Sequence, residues 1–208
     1  LDAATGTRAV RLLAVSKTQP AESVRAMAAL GQRAFGENYV QEALPKQHDL
    51  ADLDLEWHLI GPLQSNKCKD AAMHFDWVQS IDRDKLIPLL AKFRPSGLAP
   101  LNLLVQVNID DEASKSGCAP AMVDALADAI AAQPRLRLRG LMAIPKPTED
   151  PTQRRATFRR MRVLFDALKQ RHADIDTLSM GMSDDFTFAI AEGANLVRIG
   201  SALFGPRG

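Results

Sequence analysis

The sequence predicts a single-domain (β/α)₈ barrel. Short apolar, β-branched runs recur eight times along the 208 residues, and segments with helical periodicity separate them. No Gly-x-Gly-x-x-Gly pattern follows the first run, which disfavours a dinucleotide-binding sheet. Eight strand–helix units fit either a doubly wound sheet or a closed barrel, and the count of eight favours the barrel. Residues 1–208 then form one domain.

The eight apolar runs give the predicted strands in order. They cover residues 12–16, 34–37, 57–61, 77–81, 101–109, 138–144, 177–182 and 196–200. The helical pattern is clearest over 121–132 and 154–171. In the second segment, Phe158, Met161 and Phe165 recur at spacings of three and four, which places them on one stripe for burial against a sheet.

The charge balance excludes several classes of partner. Lysine and arginine total 26 and the acidic residues 25, for a formal net charge of +1. The densest basic run, 154–162, lies on a predicted helix and is interpreted as a solvated face, since base-reading and stacking elements are missing nearby. No stretch approaches the roughly 18 uninterrupted apolar residues of a membrane span. We therefore expect no nucleic-acid or membrane partner, and a compact barrel that is a monomer.

Two cysteines, Cys68 and Cys118, are the whole thiol complement. Neither has a cysteine or histidine at metal-ligand spacing, so free thiols in a reducing compartment are expected. Residues 1–8 lack the charged start and apolar core of a signal peptide. These features predict a cytoplasmic protein. Because the sequence begins at Leu1, we expect that a segment preceding Leu1 in the protein is missing from it.

Lys17 is the sharpest functional candidate, because it follows the first strand. Active sites of closed barrels lie where strands end and βα loops begin. Alternation along the strand puts Leu13, Val15 and Lys17 on one face. If that face is the interior, the amine is desolvated, loses proton affinity and becomes a nucleophile suited to Schiff-base formation. The alternative is a lysine whose ammonium reaches from the strand end to water.

Glycine and serine follow strands 7 and 8, the usual phosphate corner of this fold. Gly181 and Gly200 would let backbone N–H groups approach an anion closely. Ser183 and Ser201 each open a predicted helical turn and add hydroxyl groups. The alternative interpretation is that of ordinary turn glycines and N-cap serines.

Arg198 is predicted to point into the barrel, and His58 is a further polar candidate on the third strand. A buried guanidinium needs an acceptor, because its desolvation is costly. A pyridine ring nitrogen would serve, and the alternative is a salt bridge to a carboxylate such as Glu37. His58 is either a catalyst or a hydrogen-bonded wall residue. None of the four histidines belongs to a metal-binding pattern.

Several longer motifs carry a family resemblance. They occupy residues 14–18, 35–42, 57–67, 107–108, 115–117, 140–145, 178–185 and 197–205. In these segments the chain resembles the pyridoxal phosphate homeostasis proteins, a single-domain relative of the alanine racemase barrel, and the similarity covers nearly the whole chain. Two features depart from the family: its usual N-terminal helix is not apparent, and Ser201 stands where threonine is common.

The resemblance implies that the cofactor is pyridoxal 5′-phosphate. The cofactor-binding positions it implies are Lys17, Asn38, His58, Met142, Ser179, Gly181, Ser183, Arg198, Gly200 and Ser201. Lys17 would form the Schiff base, the serines and glycines would hold the phosphate, and Arg198 would sit beside the ring nitrogen. The other three would line the pocket.

Three functional hypotheses follow. In the first, the protein is a non-catalytic carrier and buffer of pyridoxal 5′-phosphate, with cofactor-dependent apo-enzymes or amino acids as further partners. An arginine at the ring nitrogen cannot accept a proton, which weakens the ring as an electron sink. The second is an amino-acid racemase of narrow scope. In alanine racemases the second acid/base group is a tyrosine from an additional C-terminal domain, whereas this sequence ends at Gly208. The third is a phosphate-ligand barrel enzyme in which Lys17 makes no covalent bond.

Overall fold

The computed structural model describes residues 9–112 and 115–205, and it contains a closed parallel barrel. The strands are β1 (Arg11–Val15), β2 (Ala34–Glu37), β3 (Glu56–Leu59), β4 (Trp77–Ile81), β5 (Leu101–Val107), β6 (Leu136–Ala143), β7 (Thr177–Ser179) and β8 (Leu196–Ile199). They pair in sequence order, and β8 closes on β1 with Leu13 opposite Arg198. The predicted barrel is therefore confirmed.

Helices cover the outside of the barrel and connect its strands. They are α1 (Ala21–Ala29), α2 (Val40–Asp49), α3 (Cys68–His74), α4 (Leu86–Phe93), α5 (Val123–Ala131), α6 (Pro151–Arg171), α7 (Phe186–Ala191) and α8 (Ser201–Phe204). Short 3₁₀ turns at Ser65–Lys67 and Pro120–Met122 precede α3 and α5. Helix α6 begins three residues before the predicted boundary. Pro151 occupies its first turn, and the Asp150 carboxylate caps it by accepting from the Thr152 N–H at 2.8 Å.

The seventh strand is shorter than predicted. It ends at Ser179, whereas the sequence predicted a strand through residue 182. Gly181 adopts φ +94°, outside the range of a strand, and a Cβ there would lie 2.6 Å from the Ala189 Cβ. Met182 then turns its N–H toward the Asp185 carboxylate at 2.6 Å. The chain therefore leaves the sheet early and packs tightly on α7.

The barrel interior is divided between apolar and polar side chains. One apolar cluster joins Leu13, Ala34, Ile60 and Leu196, and a second joins Trp77, Leu104 and Met142. Buried polar side chains stand between them, and these are His58, Gln79, Ser179 and Arg198. The main hydrophobic core lies between the strands and the helices. A column of polar groups inside the barrel is unusual enough to require an account of each hydrogen bond.

The two cysteines and the basic run singled out in the sequence can be located in the structure. Cys68 and Cys118 are free, as predicted, and the structure shows that both are buried. Burial raises the pKa of Cys118 to about 11. In the basic run on α6, Arg159 pairs with Glu192 and Arg160 with Asp110, which fits a solvated face. Within the described ranges, no helix has the length and apolar character needed to cross a membrane, and no group of acidic, histidine or cysteine side chains could hold a metal ion. Residues 1–8, where the sequence excluded a signal peptide, lie outside the described residues.

Candidate functional site

A cavity of about 530 Å³ opens where the strands end and the βα loops begin. Six of the ten predicted positions line it: Lys17, Asn38, Ser183, Arg198, Gly200 and Ser201. Apolar walls come from Val15, Ile60 and Ile144. The strand-end rule for closed barrels thus gathers residues from the first, second, seventh and eighth strands around one space.

Lys17 lies in a tight turn after β1 and is half-buried. The turn is closed by the Gln19 N–H, which donates to the Ser16 carbonyl at 3.0 Å. Thr18 adopts φ +65°, a left-handed conformation that is a genuine outlier for a β-branched residue. Strain of this kind, about 1 kcal/mol or more, persists only where surrounding contacts fix the chain. The turn directs Lys17 to the cavity, where it stands beside Val15.

A buried ion pair fixes the residue before Lys17. Lys46 on α2 donates to the Glu37 carboxylate at 2.6 Å and to the Ser16 carbonyl at 2.8 Å. The Ser16 hydroxyl donates to the same Glu37 oxygen at 2.6 Å, and the Ser16 N–H donates to the Gly36 carbonyl. Ser16 is therefore held at its amide, carbonyl and hydroxyl groups, so the start of the Lys17 turn is rigid.

Arg198 enters the cavity from β8 and is 3% exposed. Its guanidinium donates to the Ser179 hydroxyl and to the Ala143 carbonyl, each at 2.8 Å. Burial lowers its pKa to about 10, which leaves it charged at neutral pH. Among the described residues it has no carboxylate within ion-pair distance. The alternative of a salt bridge to Glu37 is wrong, because that carboxylate pairs with Lys46 and accepts from Ser16, both through Oε1.

The two predicted phosphate loops meet at the cavity. The Ser201 hydroxyl donates to the Ser183 hydroxyl at 3.2 Å, which joins the loops after β7 and β8. Gly200 lies between β8 and Ser201, and a Cβ there would come within 3.3 Å of the Val15 carbonyl. Two hydroxyl groups and the backbone of these loops therefore face the same corner of the cavity.

The other four predicted residues lie away from the cavity lining. Ser179 and His58 are buried in the interior, where Ser179 contacts Arg198. Met142 packs against Trp77 in the interior apolar cluster. Gly181 shapes the loop after β7, and its carbonyl accepts from the Arg198 N–H at 3.0 Å. These four residues therefore support the cavity-lining residues from the barrel interior and from the loop after β7.

The predicted cofactor-binding set omits five polar residues that line the cavity: Gln19, Gln106, Lys115, Ser116 and Asp184. Lys115 donates to the Pro145 carbonyl at 3.1 Å and pairs with Glu112 at 3.2 Å. Its place in the 115–117 motif was a usable signal. The cavity therefore offers two amines, those of Lys17 and Lys115. The positions of the two lysines in the sequence do not show which of them reacts.

Comparison with known proteins places this site in a family. The family model described as the alanine racemase N-terminal domain matches residues 2–208. The pyridoxal phosphate homeostasis protein of Pseudomonas aeruginosa is 59% identical over 198 residues, covering 95% of this chain and 85% of that protein. The chain belongs to the pyridoxal phosphate homeostasis protein family. The Escherichia coli K12 member of this family is 53% identical over 201 residues, covering 95% of this chain and 86% of that protein.

Solved structures share the homeostasis-protein barrel. PipY of Synechococcus elongatus, a structure with pyridoxal phosphate bound, matches with a TM-score of 0.86 and 40% identity over 94% of this chain and 92% of that one. D-threonine aldolase from Filomicrobium marinum matches with a TM-score of 0.76 at 22% identity, over 97% of this chain and 57% of that one. The second likeness shows the fold alone.

Proposed function

We propose that this chain binds pyridoxal 5′-phosphate covalently, as a Schiff base on Lys17, and acts in cofactor homeostasis as a carrier and buffer. The observation that carries the proposal is the cavity that unites the Lys17 amine, the serine pair and Arg198. Relatives named for pyridoxal phosphate homeostasis, and a solved relative with the cofactor bound, support it.

The donor set fits the three chemical parts of this cofactor. An aldehyde needs a primary amine, which Lys17 supplies from a fixed turn. A phosphate needs hydroxyl and N–H donors, which Ser183, Gly200 and Ser201 supply. A heteroaromatic nitrogen needs a donor, and within the described part of the chain no carboxylate lies at ion-pair distance from Arg198 to compete for it. The volume of about 530 Å³ lies within the range of ordinary cofactor sites.

The remaining predicted positions have supporting roles in this proposal. Asn38 lines the cavity beside Gly61, where a Cβ would lie 2.2 Å from the Asn38 carbonyl oxygen, so glycine is required there. Ser179 orients the Arg198 guanidinium, and His58, Met142 and Gly181 hold the surrounding interior and loop.

An arginine at position 198 favours storage of the cofactor over catalytic turnover. When bound, the cofactor supplies an electron sink, which is strongest with a protonated ring nitrogen. Arg198 remains charged and can only donate, so it does not stabilise that protonated form. Tyr39, the only tyrosine of the chain, is 52% exposed on the N-terminal side of α2 and does not belong to the cavity lining. The tyrosine of the racemase hypothesis therefore has no counterpart at this cavity.

A cofactor titration and a turnover assay test the proposal together. We expect wild-type protein to become yellow on incubation with pyridoxal 5′-phosphate and to leave single-enantiomer amino acids unchanged. Lys17→Ala is expected to remove the visible absorbance, whereas the control Lys169→Ala, at an exposed site on α6, retains it. Wild-type protein that stays colourless contradicts the binding proposal. Sustained racemisation that Lys17→Ala abolishes would replace the carrier with the racemase.

A further inference from the structure

Hydrogen bonds run from Arg198 across the barrel interior. Arg198 Nη1 donates to Ser179 Oγ at 2.8 Å, and Ser179 Oγ donates to Gln79 Oε1 at 2.7 Å. Gln79 Nε2 lies 2.9 Å from His58 Nδ1, and His58 Nε2 lies 2.8 Å from Glu56 Oε1. We call these five residues the interior relay. It joins the cavity to a carboxylate on the first residue of β3, at the opposite end of the barrel.

The far end of the relay is closed by a second arginine. Glu56 pairs with Arg11, the first residue of β1, and the two side chains are 34% and 47% exposed. Between the two ends, the three middle side chains are inaccessible or almost so: Ser179, Gln79 and His58. The His58 ring also stacks on Trp77, with centroids 5.1 Å apart and planes 8° apart. Packing therefore fixes the position of the middle of the relay.

Donor and acceptor chemistry sets one direction for every hydrogen in the relay. A guanidinium only donates, so Ser179 accepts from Arg198, and its own hydroxyl hydrogen goes to the Gln79 carbonyl. The Gln79 amide then offers its N–H to His58 Nδ1, which must be the unprotonated nitrogen. His58 carries its proton on Nε2 and donates to Glu56, which only accepts when ionised. The two charged ends thus require the same orientation of the three neutral groups between them.

We propose that Gln79, His58 and Glu56 are positioning residues for Arg198, with Glu56 acting as its remote counter-charge through the interior relay. This inference rests on the proposed function, because the importance of Arg198 would derive from the ring nitrogen of a bound cofactor. In a buried series of hydrogen bonds, each bond polarises the next in the same direction, so every group in the series resists reorientation. The relay therefore holds the guanidinium at the cavity while its own carboxylate, Glu56, lies at the opposite end of the barrel.

The electrostatics of the end groups agree with this direction. Burial is the main influence on His58 and lowers its pKa, although its bond to Glu56 opposes the shift. Burial alone would raise the pKa of Glu56, but the hydrogen bond and electrostatic interaction with His58, followed by the charge of Arg11, outweigh it and lower that pKa to about 2. At neutral pH the ring is therefore neutral and the carboxylate ionised, as the relay requires.

The first test needs no cofactor. Nitrogen-15 NMR of the ring in the apo protein is expected to show His58 as the Nε2–H tautomer. Glu56→Gln removes the obligatory acceptor, because an amide can donate as well as accept, and it should shift His58 toward a tautomer mixture. Asp176→Asn is the matched control: this carboxylate pairs with Arg139, which like Arg11 lies over Trp77, but has no bond to the relay. An Nδ1–H tautomer in wild type, or equal shifts in both variants, overturns the proposal.

The second test measures the effect at the cavity. Gln79→Met keeps the length of the side chain but removes both hydrogen bonds, and we expect about tenfold weaker binding of pyridoxal 5′-phosphate. The absorbance spectrum of the bound cofactor should change as well, which lost stability alone would not cause. Wild-type affinity and spectrum in a folded Gln79→Met variant overturn the relay. If wild-type protein does not bind the cofactor, the proposed function is overturned instead. The His58 tautomer in the apo protein still tests the relay in that case, because its measurement needs no cofactor.

Discussion

Two buried cations of this barrel are neutralised in different ways. Lys46, on the wall between β2 and α2, contacts its own counter-ion, Glu37, at 2.6 Å. Arg198, at the cavity, contacts a hydroxyl and a carbonyl at 2.8 Å. The side chains of both are nearly inaccessible to water. The Lys46 charge is neutralised by a carboxylate in direct contact, whereas the Arg198 charge contacts only neutral acceptors.

The difference separates a structural charge from a functional one. Removing one member of a buried ion pair leaves the other charged and unpaired, which is strongly destabilising. Removing a buried charge whose direct hydrogen-bond partners are neutral leaves only neutral groups unsatisfied, at lower cost. We therefore expect Lys46 to control the stability of the fold and Arg198 to control affinity for the cofactor.

Lys46→Met should produce the largest effect on stability. It leaves the Glu37 carboxylate buried beside Ser16, and we expect the free energy of unfolding of the apo protein to fall by about 3 kcal/mol. Urea denaturation measures this loss. The control is Arg25→Ala, which breaks an exposed pair with Asp52 and should leave the transition unchanged. Equal effects of the two substitutions would mean that burial of the Lys46–Glu37 pair is unimportant.

Arg198→Met should reverse that pattern. We expect a smaller loss of stability in the apo protein, since no carboxylate is left unpaired, and about tenfold or greater weakening of pyridoxal 5′-phosphate binding. Calorimetric melting without cofactor and titration with cofactor measure the two quantities. A melting temperature as low as that of Lys46→Met, with unchanged affinity, would make Arg198 a structural charge like Lys46.

The sequence predicts the barrel well because its signals are local. Runs of apolar residues locate all eight strands, and two of them, β2 and β4, have the predicted bounds. The errors lie at strand ends. Gly181 leaves the sheet because of its positive φ and its contact with Ala189, which lies eight residues further along the chain. Packing of that kind has no signature in strand periodicity.

The site is predicted less completely, since depth inside a barrel depends on the stagger of its strands. The sequence offers His58 as a candidate, but only the three-dimensional structure shows that it is buried and bonds Gln79. Lys46 is a similar case. It stands among polar residues on α2, and nothing in that pattern indicates that it is buried against Glu37 and Ser16.

The central claim concerns which of two amines at the cavity reacts with the cofactor. Protein loaded with pyridoxal 5′-phosphate is reduced with borohydride, digested, and mapped by mass spectrometry. We predict that the modified peptide carries the adduct on Lys17, whose turn is fixed through Ser16. An adduct on Lys115, or no adduct in a protein that binds the cofactor, would contradict the account.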